Sequence, residues 1–539
     1  MNHKRFWISG VLMLLSTLTA CNLAVNPPAN PTAFPSPVAV QFTQTPSPVP
    51  TATPIPSLTP TPAPTLTPSI TPVPSATFTP TATPYPIAPL ANDQYTLIDL
   101  PPALRDGVQG VYFAIASVNE RTGGASNPKT PQPDLEVETL YLVNPANGQL
   151  IEIMDIPATA DAHIYWSPDG MKFVYFLEPV QLADGTLAGG LYLVNLELGL
   201  GVRLFNLPTL NPRGIPNHRP VWSPDSSQFA IAMPTAYDVD IFVISDDGSL
   251  VRNVTQHGAF DFWPSWSPDG VHLAFVSDRN ECPTWQPSEP NTCSRLVSQA
   301  APDEFEGLLG EEQQSSIFPR GGHVFVLNVE TGDTRQVSEV WVDSPPTWIS
   351  QTRLAVTTGL SDSLATETEI WLLNVQAGTA RRVSGQAAAF NFGAAWSPDG
   401  GRVVYYRASE PAGVVLHDLT GAELAVLDRY LFSRYGFAAD WSPDGQWIAF
   451  GGRNSQCPYG LIVTRESLSV FFAGTTPRAC DPVYSPDGQW LAYAGIQTRT
   501  GAADGRLDLF VAQPNGYGAR NLTSRLKGEV VLLGWVGTP

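Results

Sequence analysis

The chain has 539 residues, including 53 Pro and 44 Gly; 14 % are charged and 43 % hydrophobic. Lys and Arg number 29 against 49 Asp and Glu, a net charge of -20. That balance excludes a general nucleic-acid binder, which needs a basic footprint to displace counterions, while the apolar content suffices for a large core.

Lys4 and Arg5 form a short positive start, and residues 6–18 are mostly apolar before the run ends in small residues. This is the pattern of a secretory signal, too short and too abruptly ended for a stable membrane span. Leu18-Thr19-Ala20-Cys21 resembles the lipobox of bacterial lipoproteins. The resemblance implies that residues 1–21 are a signal peptide and that Cys21 becomes an acylated N-terminus. The lipid bilayer is then a partner through that acyl group, without a spanning segment. Over residues 22–92 Pro, Ser and Thr dominate, and no charged residue occurs between Phe6 and Asn92. Proline lacks the amide donor a ladder needs, and scattered apolar residues cannot offset the entropy of ordering. The expectation is a disordered Pro/Thr/Ser-rich stalk, extending at most on the order of 200 Å at roughly 3 Å per residue. A proline-rich docking ligand is the alternative, though the basic flanks such ligands often carry are absent.

Residues 93–539 are dominated by one repeat. Trp166-Ser167-Pro168-Asp169-Gly170 recurs, with small changes, at Trp222, Trp266, Trp396 and Trp441, and as Tyr484-Ser485-Pro486-Asp487-Gly488. Degenerate copies begin at Trp348 and Trp535. Successive copies lie 43 to 56 residues apart, except for one gap of 82 between Trp266 and Trp348. That period is the length of a four-stranded blade, with one large insertion. A short apolar strand follows each well-preserved copy (Phe173 to Phe176, Leu273 to Val276), then a second rich in β-branched and aromatic residues (Ile241 to Ile244). In the Ser-Pro-Asp-Gly stretch, Pro presets the first turn position, Asp bonds back to the backbone and Gly accepts positive φ. Asp169 and its equivalents are therefore read as turn formers, and the preceding Trp as a filler between adjacent sheets.

These repeats resemble the WD40-like repeats of the TolB propeller; similar units occur in tricorn protease and in prolyl-oligopeptidase-family peptidases. The resemblance covers roughly residues 110–539 and implies an all-β, closed β-propeller of four-stranded blades. Eight blades are expected, with seven as the alternative because the copies at 348 and 535 are degenerate. Val111 to Ala116 looks like a second strand with no first strand before it, so the C-terminal strand, Val531 to Trp535, is expected to complete the N-terminal blade.

In such blades the Ser-Pro-Asp-Gly turns crowd one face. The other face carries the long connections, above all an insertion over 278–322, and is the expected binding face. Residues leading into the first strands should form its inner rim: Asp161, His163, His218, Arg219, Asp261, Trp263, Asn391, Arg434, Tyr435, Arg478 and Asp481. That ring reads either as a ligand or metal site or as a hydrated channel mouth. Setting Cys21 aside, Cys282 with Cys293 and Cys457 with Cys480 lie on this same face and suit two disulfides in an oxidising compartment. Zinc is the alternative, but no His stands at ligand spacing beside either pair. No G-x-S-x-G elbow, H-E-x-x-H or P-loop pattern is present. The expected function is a membrane-anchored, extracytoplasmic binding or assembly module for a protein, peptide or glycan, without catalytic residues or cofactor. The alternative is a hydrolase or lyase with a metal or polar site at the central channel.

Overall fold

A computed structural model describes residues 95–538 except 120–136, 158–163, 182–186, 207–218, 235–238, 281–320, 359–368, 385–393, 408–410, 420–421, 433–435, 454–456, 469–470, 474–477, 497–506 and 527–528. The expected signal peptide over 1–21, the expected linker up to 92 and most of the insertion over 278–322 lie outside the described residues. None of the described helices is long and apolar enough to cross a membrane.

Eight antiparallel sheets form an eight-bladed propeller. Blade 1 joins Tyr112–Asn119, Val137–Val143 and Leu150–Pro157 to the C-terminal strand Glu529–Val536. Blade 2 runs from Ile164–Trp166 to Leu200–Asn206, blade 3 from Val221–Trp222 to Val251–Asn253, and blade 4 from Asp261–Trp266 to Thr334–Val342. Blade 5 runs from Thr347–Ser350 to Thr379–Ser384, blade 6 from Ala395–Trp396 to Glu423–Leu427 and blade 7 from Ala438–Trp441 to Phe471–Ala473. Blade 8 completes the ring, from Ala479–Tyr484 to Arg520–Asn521.

The core lies between blades. Leu140 and Leu142 of blade 1 pack with Phe173 and Tyr175 of blade 2, and Phe113 and Ile115 pack with Leu509 and Val511 of blade 8. Because both faces of each sheet meet a neighbour, second and third strands are largely apolar rather than alternating.

The repeat motif does two jobs. Within a blade, the Ser167 Oγ accepts the Lys172 amide at 3.0 Å and the Asp169 carboxylate accepts the Met171 amide at 2.9 Å, so the reversal into the second strand satisfies its own backbone. Gly170 sits at φ +76, where a Cβ would also meet the Val536 side chain at 3.1 Å, so glycine serves both turn and packing. Between blades, the Nε1 of five of these Trp residues donates to the carbonyl just before the aromatic of the preceding blade. Trp222 reaches Tyr165 O at 3.0 Å, Trp266 reaches Val221 O at 2.9 Å, and Trp348 reaches Ser265 O at 3.0 Å. Trp441 reaches Ala395 O at 3.1 Å and Trp535 reaches Val483 O at 3.0 Å. Sequence reading assigned the Trp to space filling and missed this bolt.

Blades 8 and 2 are arranged differently. In blade 8 Tyr484 replaces Trp and sends its hydroxyl to Pro514 O at 3.0 Å; the Asp440 carboxylate of blade 7 accepts the Tyr484 amide at 2.7 Å instead. In blade 2 the Trp166 Nε1 is buried and unpaired. Its equivalent acceptor would be Gly534, which sits at φ +135 in a bulge where the register against Ala114 and Ile115 shifts.

Closure follows the expectation. Phe113 pairs with Trp535 and Ser117 with Val530, and the Gly537 amide donates to Pro168 O of blade 2 at 2.9 Å. The N-terminal end adds an element that sequence reading did not foresee. Tyr95–Leu97 pairs with 200–202 as a fifth, outer strand on blade 2, extended by the Ile98 amide donating to Gly199 O at 2.8 Å.

Candidate functional site at the channel mouth

First strands of neighbouring blades touch one another, as blades 1 and 2, 3 and 4, 6 and 7, and 7 and 8 show, so these strands form the inner wall of the ring. At the end opposite the Ser-Pro-Asp-Gly turns, two of them are deformed in the same way. Trp263 and Asp481 have φ of +57 and +50, each precedes a proline, and each lies where strand register shifts. A bulge of this kind removes one residue from the ladder and re-aims its side chain. The cost of positive φ is largest for a bulky residue such as Trp.

Of the residues expected at the rim, Asp161, His163, His218, Asn391, Arg434 and Tyr435 lie outside the described residues, as do Cys21, Cys282 and Cys293. Arg219 and Arg478 are exposed, while Trp263 and Asp481 are half-buried. Asp261 departs from the expectation. It is fully buried, its carboxylate 2.6 Å from the Arg279 guanidinium, and is therefore part of the scaffold rather than of an open rim. Arg279 stands at the root of the 278–322 insertion and lies over the Phe275 and Phe325 rings, 5.2 and 4.9 Å from their centroids.

Beneath this pair is a polar clamp. The buried Asp240 carboxylate accepts Asn253 Nδ2 at 2.6 Å, Thr255 Oγ1 at 3.0 Å and the His257 amide at 3.1 Å. Blade 8 repeats the design, with Asp508 accepting Asn521 Nδ2 at 2.8 Å and Thr523 Oγ1 at 3.1 Å. Burial first, then the Asp261 charge, pushes the Asp240 carboxyl up to about 6. Burial and Arg279 lower the His257 imidazole, with Asp261 opposing them.

Cys457 and Cys480 form a disulfide between blades 7 and 8, with Cα atoms 5.2 Å apart. Beside it the Asp481 amide donates to Gly452 O at 3.0 Å. These contacts hold Arg453 and Asp481 together at the mouth. Burial lowers the Arg453 guanidinium, Asp481 raises it in part, and Arg219 lowers it further. Arg219 immediately precedes the first strand of blade 3 and Arg453 follows the second strand of blade 7, on opposite sides of an eight-bladed ring. Arg219 also acts on Tyr165 of blade 2, whose hydroxyl burial pushes up to about 12. Sequence reading found Arg219 and Asp481 but missed Arg453 and Tyr165. It took only residues leading into first strands, and Arg453 follows a second strand.

No family model matches the chain. A TolB homolog from Chlorobium luteolum is 40 % identical over 60 residues, which are 11 % of this chain and 14 % of that protein. A tricorn protease homolog from Saccharolobus solfataricus is 39 % identical over 64 residues, 12 % of this chain and 6 % of that protein. The chain thus spans only a small part of the length of these curated relatives. Among solved structures, an oligogalacturonate lyase in complex with manganese aligns at 14 % identity and TM-score 0.40, covering 76 % of this chain and 97 % of that one. TolB from Acinetobacter baumannii aligns at 19 % identity and TM-score 0.30, covering 68 % and 80 %. The chain is thus an eight-bladed β-propeller, with a stretch of 60 residues similar to a TolB homolog.

Proposed function

We infer that the protein is a non-catalytic binding module, held outside the cytoplasm by an acyl group on Cys21. Residues 22–92 act as the stalk, and the propeller over 93–539 offers its loop face to a protein, peptide or glycan. The observation that carries this reading is the asymmetry of the two ends of the ring. At one end the six Ser-Pro-Asp turns are closed on themselves by their own serine side chains. At the other, bulges at Trp263 and Asp481 break the ladder to re-aim an aromatic and a charged residue beside exposed Arg219 and Arg478. Aromatic and arginine groups on a rigid scaffold are the usual anchors of recognition.

A photoreactive residue placed at Trp263 or Arg478 in intact cells should cross-link a discrete partner, and one placed at Asp247 on the turn face should not. Equal labelling from both faces, or none from the rim, contradicts the reading. The anchor is tested separately. Cys21→Ser should abolish incorporation of an alkyne-tagged fatty acid and release the protein from the membrane fraction, and unchanged labelling would sink that part.

A further inference from the structure

Seven of the eight sheets have four strands; the sheet of blade 2 has a fifth, Tyr95–Leu97, on its outer edge. From there the chain runs to Tyr112, where the second strand of blade 1 begins, so residues 95–111 span the seam between blades 1 and 2. They are held along the way. The Ile98 amide donates to Gly199 O of blade 2 at 2.8 Å, and the Leu104 amide closes a single helical turn by donating to Pro101 O at 2.8 Å. Leu104 is 1 % exposed and Val108 is also buried. Both belong to the core cluster that joins Leu140 and Val536 of blade 1 to Met171 and Leu196 in the turns of blade 2.

This strap is pinned onto the ring closure itself. Gln109 bridges to Thr538, and Gly537 packs so closely on Gly110 that a Cβ would lie 2.1 Å from Gly110 O and 2.9 Å from Val108 Cγ1. Gly537 also donates its amide to Pro168 O of blade 2. The residues that end the C-terminal strand are therefore held between the strap and blade 2. At the same seam Trp166 Nε1 has no acceptor, so the indole bond that ties five other seams is missing here. The strap's buried apolar side chains supply cohesion in its place.

The chain enters the strap at Tyr95, at the end of a three-residue pairing with 200–202. A pull applied there loads the pairs one after another, Tyr95 with Val202 first and Leu97 with Leu200 last. Three pairs on the outside of a sheet belong to the low-stability end of a structure, whereas the second and third strands of the blades are buried between neighbours. We propose that residues 95–111 are a mechanical latch on the ring. Tension from the N-terminal side peels Tyr95–Leu97 off blade 2, lifts Leu104 and Val108 from the seam and frees Gly537 and Thr538. The seam between blades 1 and 2 then loosens while the other blades stay packed. That the stalk delivers the pull rests on the anchoring reading above; the latch rests on the strap's own contacts.

The test holds the full chain in optical tweezers between a handle at its N-terminus and a second on Gln376, in an exposed turn of blade 5. A first, reversible step should release about 60 Å of contour length, residues 95–111 at roughly 3.6 Å each, at a lower force than any later event. Leu97→Cys with Leu200→Cys, which face each other across the ladder, should close into a disulfide on oxidation and abolish that step. Reducing the pair should restore it. Without force, Leu104→Ala should speed amide exchange in Glu529–Val536 at least about fivefold and leave Arg353–Thr358 of blade 5 as in the parent chain. A first event that unravels a blade, a first step that survives the oxidised pair, or exchange in Glu529–Val536 that is unchanged or rises no more than in blade 5 overturns the proposal. None of these readings involves the acyl group on Cys21, so failure of the anchor and failure of the latch are told apart.

Discussion

Trp222, Trp266, Trp348, Trp441 and Trp535 each spend their one polar atom on the blade before them, which makes the indole nitrogen and not only the ring area a determinant of the fold. Trp441→Phe keeps most of the packing and removes the bond to Ala395 O. It should cost about 1 kcal/mol or somewhat more, since a carbonyl is left unsatisfied at the interface. Urea denaturation measures this; an unchanged midpoint would show the bond to be incidental. Asp440 is the exception that proves informative at pH. Burial pushes its carboxyl up to about 6, as it does for Asp240. A carboxyl raised in the folded state binds its proton more tightly there than in the unfolded chain. Stability is therefore gained as pH falls from about 7 through 6. The turn carboxylates Asp269 and Asp399 are lowered, mainly by their serine partners, and their contribution is lost only as pH falls below the ordinary aspartate value. The protein should thus be most stable near pH 5. Asp440→Asn should shrink the gain between pH 7.5 and 5 by on the order of 1–2 kcal/mol. A gain of unchanged size in that variant contradicts the assignment.

At the scale of elements, the Ser-Pro-Asp-Gly turn and the apolar strand after it were legible because both follow from local chemistry. Pro, Asp and Gly have strong positional preferences, and a strand buried on two faces reads as an apolar run. The outer strand Tyr95–Leu97 was not legible, since three residues pairing with 200–202 carry no periodicity of their own. Nor was the burial of Asp261, because its partner Arg279 lies 18 residues away and only the strand pairing brings them together. The disulfide between Cys457 and Cys480 staples blade 7 to blade 8 beside the mouth. Its ends are 23 residues apart, a loop whose closure contributes about 3 kcal/mol in the chain-entropy account. Cys457→Ala with Cys480→Ala should lower stability by about that amount, and a reducing agent should destabilise the parent chain but not the double variant. Equal sensitivity of both proteins to reductant would refute the pairing.

At the scale of the molecule, repetition made the ring readable, while the long connections that distinguish one propeller from another carry no repeat. The blade count is a case in point. Two degenerate copies left seven and eight open, and the choice is settled by the pairing of Thr347–Ser350 within blade 5 and of Glu529–Val536 within blade 1. The candidate site was half legible for the same reason. Arg219 leads into a recognisable first strand and Asp481 lies within one, whereas Arg453 follows a second strand and joins the mouth only once blades 7 and 8 are brought together. All of this rests on the C-terminal strand closing blade 1, since it bolts to blade 8 through Trp535 and to blade 2 through Gly537. The most direct test is the thermal unfolding of a chain ending at Glu529, compared with the full chain. The account predicts that the cooperative transition is lost, with aggregation through the exposed edge of Tyr112–Asn119. A truncated chain that melts cooperatively at the temperature of the full chain would contradict it.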